Sequence, residues 1–232
     1  MVDCSVVVPI YNPETGIEDV MFAQYDALIK SLPGRTFQLV IVDDGSKESL
    51  ELILTKLRNI FDYVDYIQCP INEGKGAALR KGVSQAKGEI ILYTDYDFPY
   101  TVESMKNIFC ALEQNTFALA IGVRSDEYYD KIPVMRKFIS RILKGMNKAM
   151  MKLHTGDTQA GLKAFKTQLK PLFLQTKING FLFDLEFLKL AKEKEVDASL
   201  VHITLRDDVK MSQINPFSLV KEFSVYCKLL FR

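Results

Sequence analysis

Ile90-Ile91-Leu92-Tyr93-Thr94-Asp95-Tyr96-Asp97 runs strand-forming residues straight into two acids one residue apart. A strand buried in a sheet cannot hold bare carboxylates along its length, so Asp95 and Asp97 belong at its C-terminal mouth. Open α/β sheets keep their ligand crevice outside the carboxyl ends of the strands. Extended backbone would point both acids to the same side. Two hard oxygen donors at a crevice suit Mg²⁺ or Mn²⁺, which take one or two carboxylates together with substrate phosphates. The plainer alternative is a solvated turn at a strand end.

Outward from this stretch the chain alternates strand and helix. Upstream, Ser5–Pro9 and Gln38–Asp43 are continuous apolar runs of the kind buried on both faces of a sheet. Between them, Val20, Ala23, Ala27 and Leu28 mark the apolar face of a helix. Asp43-Asp44-Gly45-Ser46 follows the second strand, with Ser46 placed as N-cap of a helix through Leu57. A strand near Val64–Cys69 leads to Asn72-Glu73-Gly74-Lys75-Gly76 and a helix ending near Lys87-Gly88. Downstream, a helix over Val102–Leu112 and a strand over Phe117–Val123 continue the pattern, which predicts βαβ units and a mostly parallel sheet. After Val123 the alternation stops. Val134–Leu153 reads as one long helix, Ala160–Phe165 and Ser199–Leu205 as strands, Phe183–Lys194 as a helix and Pro216–Phe231 as a final amphipathic one. The second half is expected to complete and cap the sheet, within one domain spanning 1–232.

Composition excludes several classes. A chain of 232 residues with 48% hydrophobic and 25% charged residues is an ordinary globular α/β length and balance. The net charge of +1 argues against bulk nucleic-acid binding. Cys4, Cys69, Cys110 and Cys227 lack paired metal-ligand spacing and read as reduced, mostly buried thiols of a cytoplasmic protein. His154 and His202 are the only histidines, too few for a histidine-rich metal site. Early Asp3 and Pro9 do not resemble a signal peptide, and no apolar run approaches the ~18 residues of a spanning helix.

Parallel strands bring their C-terminal ends to one edge. Pro9-Ile10-Tyr11-Asn12, Asp43-Asp44-Gly45-Ser46 and Asp95-Tyr96-Asp97 should therefore meet there. Their convergence predicts a nucleotide site, with the base near Pro9, Tyr11 and Asp43 and a metal-held diphosphate at Asp95 and Asp97. Taken separately, the second cluster is also a turn with a helix cap, and Tyr11 is also an ordinary core aromatic.

The ordered set Val-Pro-Ile-Tyr-Asn12, Val-Asp-Asp-Gly-Ser46, Asn72-x-Gly74-Lys75-Gly76 with Ala77, Ala78 and Gly82, then Asp95-x-Asp97, resembles the family 2 glycosyltransferases. These share the α/β fold called GT-A, a mostly parallel central sheet flanked by helices. The dinucleotide fingerprint is absent after the first strand, unlike a Rossmann dehydrogenase. Gly122-Val-Arg124, Met135-Arg136-Lys137-Phe-Ile-Ser140, Asp157-Thr158-Gln159-Ala-Gly161-Leu-Lys163, Phe183-Asp184-Leu-Glu186, and Leu205-Arg206 with Ser212 narrow the resemblance. They are similar to the polyprenyl-phosphate sugar synthases, the dolichol-phosphate mannose synthase group.

The resemblance implies an inverting enzyme that moves one sugar from a nucleoside-diphosphate sugar to a polyprenyl phosphate at the cytoplasmic membrane face. It implies a nucleotide-binding half over 1–123 and an acceptor-binding half over 124–232. Pro9, Tyr11, Asn12, Asp43 and Lys75 would hold the nucleotide. Asp95 would bridge ribose and metal, with Asp97 as main ligand of Mg²⁺ or Mn²⁺. Arg124, Arg136 and Ser140 match positions for the lipid phosphate, Arg206 one near the diphosphate or acceptor, and Asp157 and Gln159 a loop over both substrates. Two departures stand out. Pro99 occupies a place where a Gln is often a further metal ligand, and Pro13 interrupts an acidic pair after Asn12.

The acceptor decides the chemistry. A phosphate is already ionised near neutral pH (second pKa about 6) and needs no general base. A sugar hydroxyl acceptor, the first alternative, would need a carboxylate such as Asp157, Asp184 or Glu186. A non-catalytic nucleotide-sugar-binding protein is the second, hinted at by Pro99 alone. Lys137, Arg141, Lys144, Lys148 and Lys152 form one basic stripe beside apolar Phe138, Ile142, Met146, Met150 and Leu153. Such a helix suits peripheral contact with an anionic membrane surface, although a solvated cationic face on a packed helix has the same pattern.

Overall fold

The structure, a computed structural model, describes residues 2–124, 160–209 and 226. Its strands are β1 (Cys4–Ile10), β2 (Phe37–Asp43), β3 (Val64–Gln68), β4 (Ile90–Tyr93), β5 (Leu119–Arg124), β6 (Lys163–Lys166) and β7 (Ala198–Ile203). The helices are α1 (Ile17–Ser31), α2 (Glu51–Arg58), α3 (Lys75–Gln85), α4 (Val102–Glu113), α5 (Lys170–Leu174) and α6 (Phe183–Glu193). The sheet order is β3-β2-β1-β4-β6-β5-β7. Among the described strands only β6 runs antiparallel to its neighbours, β4 and β5; the other pairings are parallel.

Every residue of β1 and β2 is buried, because the sheet is covered on both faces. Side-chain alternation sorts them into two cores. Val6, Val8, Ile10, Leu39 and Ile41 pack with α1, α2 and α4, whereas Val7, Val40 and Val42 pack with α3, α5 and α6. Thr101 starts α4 by accepting from the Ser104 N–H, a cap worth about 1 kcal/mol.

The order of the first four strands decides where a ligand can bind. From β1 the chain winds outward through β2 to β3, then returns to place β4 on the other side of β1. Loops leaving β1 and β4 therefore diverge and open a crevice at the carboxyl edge.

Three sequence expectations are corrected. The buried face of α1 is Met21, Tyr25 and Leu28, with Ala23 exposed, since the larger side chains bury more apolar area than alanines do. Ser46 does not cap a helix: α2 begins at Glu51 after Leu50, and Ser46 is bonded across the rim instead. The segment Asp95–Phe98 is a turn closed by Phe98 N–H donating to Asp95 O at 3.0 Å, so the alternation argument does not apply to the two acids. The helix α5 was not foreseen. Cys4 and Cys69 are buried free thiols and Cys110 is half-buried, as expected. The expected helix over 134–153, the basic stripe included, and Cys227 lie outside the described residues, and of the expected helix over 216–231 only Tyr226 is described, helical and buried.

Candidate active site

Loops from separate strands are tied side by side along the carboxyl rim. Asn12 follows β1 with a left-handed φ of 43°; its N–H donates to Ser46 Oγ at 2.9 Å, and its side-chain oxygen accepts from Lys47 N–H at 2.9 Å. Asp44, after β2, accepts from the Glu73 and Gly74 N–H groups at 2.9 and 2.8 Å, satisfying amides where α3 begins. Gly74 has φ +103°, and a Cβ there would lie 2.6 Å from Asn179 O, so only glycine fits this approach. Lys75, the next residue, reaches across to Asp95 Oδ1 after β4. Arg206, beyond β7, donates through Nη2 to Asp97 O at 3.3 Å, while its backbone N–H donates to Pro99 O at 2.9 Å. Pro99 thus contributes a carbonyl that holds Arg206 beside the acidic turn.

The acidic turn is electrostatically strained by design of its neighbours. Burial first, then repulsion from Asp95, pushes the Asp97 carboxyl above the usual carboxylate range, while Arg206 and Lys75 pull the other way. Burial disfavours the Lys75 cation, but Asp95, Asp184 and Asp97 together outweigh it and its pKa is raised. Lys75 therefore remains an ammonium. Gly161 closes the far side of Asp95: a Cβ there would stand 2.5 Å from Asp95 Oδ2. Gly161 N–H donates to the Tyr100 hydroxyl at 2.8 Å, which fixes that approach.

At the base end of the crevice the three expected residues differ in exposure. Tyr11 is exposed at 43% and free to stack. Pro9 is instead buried within β1, opposite Val42. Asp43 is also buried: Oδ1 accepts from Ser46 N–H at 2.8 Å and Oδ2 from the Tyr66 hydroxyl at 3.0 Å. Pro9 and Asp43 shape the wall, and each Asp43 oxygen has one lone pair left for a ligand donor.

Beneath the rim lies a buried ion pair. Lys163 Nζ is 3.2 Å from Asp184 Oδ1, donates to Ala160 O at 2.6 Å and sits 5.9 Å from the centre of the Tyr93 ring. The Tyr93 hydroxyl donates to the same Asp184 oxygen at 2.6 Å, and its pKa is raised first by burial and then by the Asp184 charge. Glu186, two residues on, is 5% exposed and accepts from the Lys177 and Ile178 N–H groups at 2.7 and 2.8 Å. Both acids are buried and bound into the scaffold.

Most expected site residues on described elements share this rim. Tyr11, Asn12, Lys75, Asp95, Asp97 and Arg206 lie along it, and Arg124 closes β5 at the same edge, opposite Ile203. Arg136, Ser140, Asp157 and Gln159 lie outside the described residues. The sequence alone assigns no role to Gly161, Tyr100 or Lys163. Lys163 did carry a signal, since a lysine inside an apolar strand requires a buried partner. Among the described residues no group of three or more His, Cys, Asp or Glu is poised to hold a metal. Asp95 and Asp97 still fit a divalent ion that completes its shell with water and phosphate oxygens.

Residues 5–170 match the family described as Glycosyl transferase family 2. A dolichyl-phosphate beta-glucosyltransferase of Trichomonas vaginalis is 27% identical over 216 residues, covering 86% of this chain. The chain spans only 64% of that relative's length. The human dolichyl-phosphate beta-glucosyltransferase is 28% identical, covering 92% of this chain and 70% of the relative. Among solved structures, glucosyl-3-phosphoglycerate synthase of Mycobacterium tuberculosis with UDP superposes at TM-score 0.66 and 16% identity. That match covers 99% of this chain and 79% of the synthase. The same synthase bound to Mn²⁺, UDP and glucosyl-3-phosphoglycerate gives a TM-score of 0.62. The likeness is one of fold: the expected α/β GT-A architecture is present.

Proposed function

The chain belongs to glycosyl transferase family 2, and on that premise we propose that it transfers one glucosyl unit from UDP-glucose to a polyprenyl phosphate, with inversion, at the cytoplasmic membrane face. The single observation that carries this reading is the engagement of Asp184 and Glu186 in scaffold bonds. A hydroxyl acceptor needs a carboxylate to take its proton, and of the three candidates Asp184 and Glu186 are spent, while Asp157 lies outside the described residues. An acceptor phosphate arrives already ionised and needs none. The relatives are named for dolichyl-phosphate glucosylation, which supports the same acceptor class and sugar.

In the reaction a phosphate oxygen of the lipid forms a bond to the anomeric carbon as the bond from that carbon to the UDP oxygen breaks. The electron pair leaves with UDP, and no proton is transferred. Tyr11 offers an exposed face for the base, and Asp43 holds the wall behind it. Arg206 and Lys75 supply positive charge beside the departing diphosphate. Arg124, with Arg136 and Ser140, is assigned to the lipid phosphate, where a guanidinium fork matches two phosphate oxygens. Asp157 and Gln159, outside the described residues, are assigned to a loop over both substrates. Mg²⁺ or Mn²⁺ on Asp95 and Asp97, when bound, stabilises the negative charge developing on the diphosphate.

No described helix is long and apolar enough to cross a membrane. Contact with the lipid surface is assigned to the basic stripe from Lys137 to Lys152. The test is a panel of UDP- and GDP-sugars with a short polyprenyl phosphate, with and without Mn²⁺, and mass measurement of the lipid product. A glucosylated lipid phosphate formed from UDP-glucose is expected. Sugar appearing only on hydroxyl acceptors, or none transferred at all, would refute the assignment.

A further inference from the structure

Asp95 is already occupied by a cation. The Lys75 ammonium pairs with Oδ1, and the Lys75 side chain is only 17% exposed against 37% for Asp95. The lysine thus approaches from the protein side and leaves the outer side of the carboxylate open. Its position is fixed, because Lys75 is the first residue of α3, whose start is held by Asp44 and by Gly76 N–H donating to Asn179 O at 2.7 Å. On the other flank Asp95 Oδ2 faces Gly161, where an added Cβ would stand 2.5 Å from it. Asp95, Asp97 and Asp184 all act on Lys75, so this one ammonium offsets much of the negative charge at the crevice floor.

We propose that Lys75 is a resident stand-in for the divalent ion: it neutralises Asp95 in the ligand-free protein and gives up that carboxylate when metal and nucleotide enter together. The inference rests on the metal-bearing site assigned above. An ion arriving alone must share Asp95 with an ammonium whose other anionic neighbours are Asp97, the second assigned metal ligand, and Asp184, already paired with Lys163. Like charges then face each other in a partly desolvated pocket, and binding is weak. An ion arriving with a nucleoside diphosphate brings phosphate oxygens that give Lys75 a new partner. Metal and nucleotide therefore tighten one another, reciprocally and by the same factor. Lys75 acts as a positioning and selectivity residue, keeping the carboxylates from being held by a bare ion in the absence of donor.

The test uses the full chain and Mn²⁺ alone, followed by calorimetry or by the electron paramagnetic resonance signal of the free ion, without turnover. Lys75→Met should bind Mn²⁺ about tenfold more tightly than the parent, within the usual range of coupling between sites, whereas Lys75→Arg should bind as weakly as the parent. The advantage of Lys75→Met should shrink when UDP is present. Lys75→Gln, which keeps an amide donor for Asp95 without the charge, should behave as Lys75→Met does and replaces it if that variant fails to fold. Uncharged variants that bind Mn²⁺ no more tightly than the parent, while Asp97→Asn still abolishes binding, would overturn the stand-in role and leave the active-site assignment intact. Absence of Mn²⁺ binding to every variant, with UDP as well as without, would overturn both.

Discussion

Substituting Gly161 by alanine isolates the placement of one carboxylate from the stability of the fold. The added Cβ would lie 2.5 Å from Asp95 Oδ2, and ordinary contact begins near 3.4 Å, so the carboxylate must retreat by about 0.9 Å. The obstructing atom is the end of a side chain at a partly open crevice, so it can move without disturbing the sheet. Gly161 is not among the glycines with a left-handed φ, so alanine is admissible there. Lower unfolded-state entropy should offset part of the crowding, leaving a net change below about 1 kcal/mol. For a chain of this length that is a melting shift of about 2–4 °C or less. Catalysis should be far more sensitive, because a misplacement near 1 Å can cost on the order of 10²-fold in rate. The assay is turnover of UDP-glucose with a short polyprenyl phosphate at saturating Mn²⁺, beside a thermal melt. Turnover close to the parent's would refute the claim that Gly161 fixes a working carboxylate. A melting temperature lowered by ten degrees or more would show that the contact serves the fold.

Three further outcomes are expected. Asp97→Asn should abolish metal-dependent turnover yet melt higher than the parent at neutral pH. Burial and Asp95 raise the Asp97 pKa, so this group favours the folded state at low pH and that contribution is lost as pH rises through its folded value. The variant's advantage should accordingly fade on acidification, which melts across a pH series will check. Lys163→Met should lower stability by about 3–5 kcal/mol in guanidinium titrations, since it strands the Asp184 charge in the core, and adding Asp184→Asn should recover much of the loss. Glu186→Gln should keep near-parental turnover, because its amide oxygen can still accept from the 177–178 backbone; a collapse in rate without loss of stability would revive the hydroxyl-acceptor mechanism.

The strands were legible where burial on both faces erases alternation, as in Val6-Val7-Val8 and Leu39-Val40-Ile41. The meeting of Tyr11, Asp44 and Asp95 at one edge followed from parallel connection alone. What escaped were consequences of contacts distant in sequence. No local pattern reports that Lys75 faces Asp95, that Tyr93 meets Asp184, or that Gly161 backs a carboxylate. Ser46 misled for a related reason. Its type suits a helix cap, but Asn12 from another loop claimed its hydroxyl, and the helix began at Glu51. Nor does any local pattern report that the Tyr66 hydroxyl, one strand away, bonds Asp43.

The lateral ties along the rim restrict how this protein can be re-engineered. Asn12 to Ser46, Asp44 to Gly74, Lys75 to Asp95 and Asp97 to Arg206 join each segment to the next, so no segment is a free-standing cassette. A swap of one segment from a homologue with another sugar preference would sever a tie on each side and shift the neighbours it was meant to leave alone. Chimeras should carry adjoining segments together, with their shared partners, if they are to keep a working crevice.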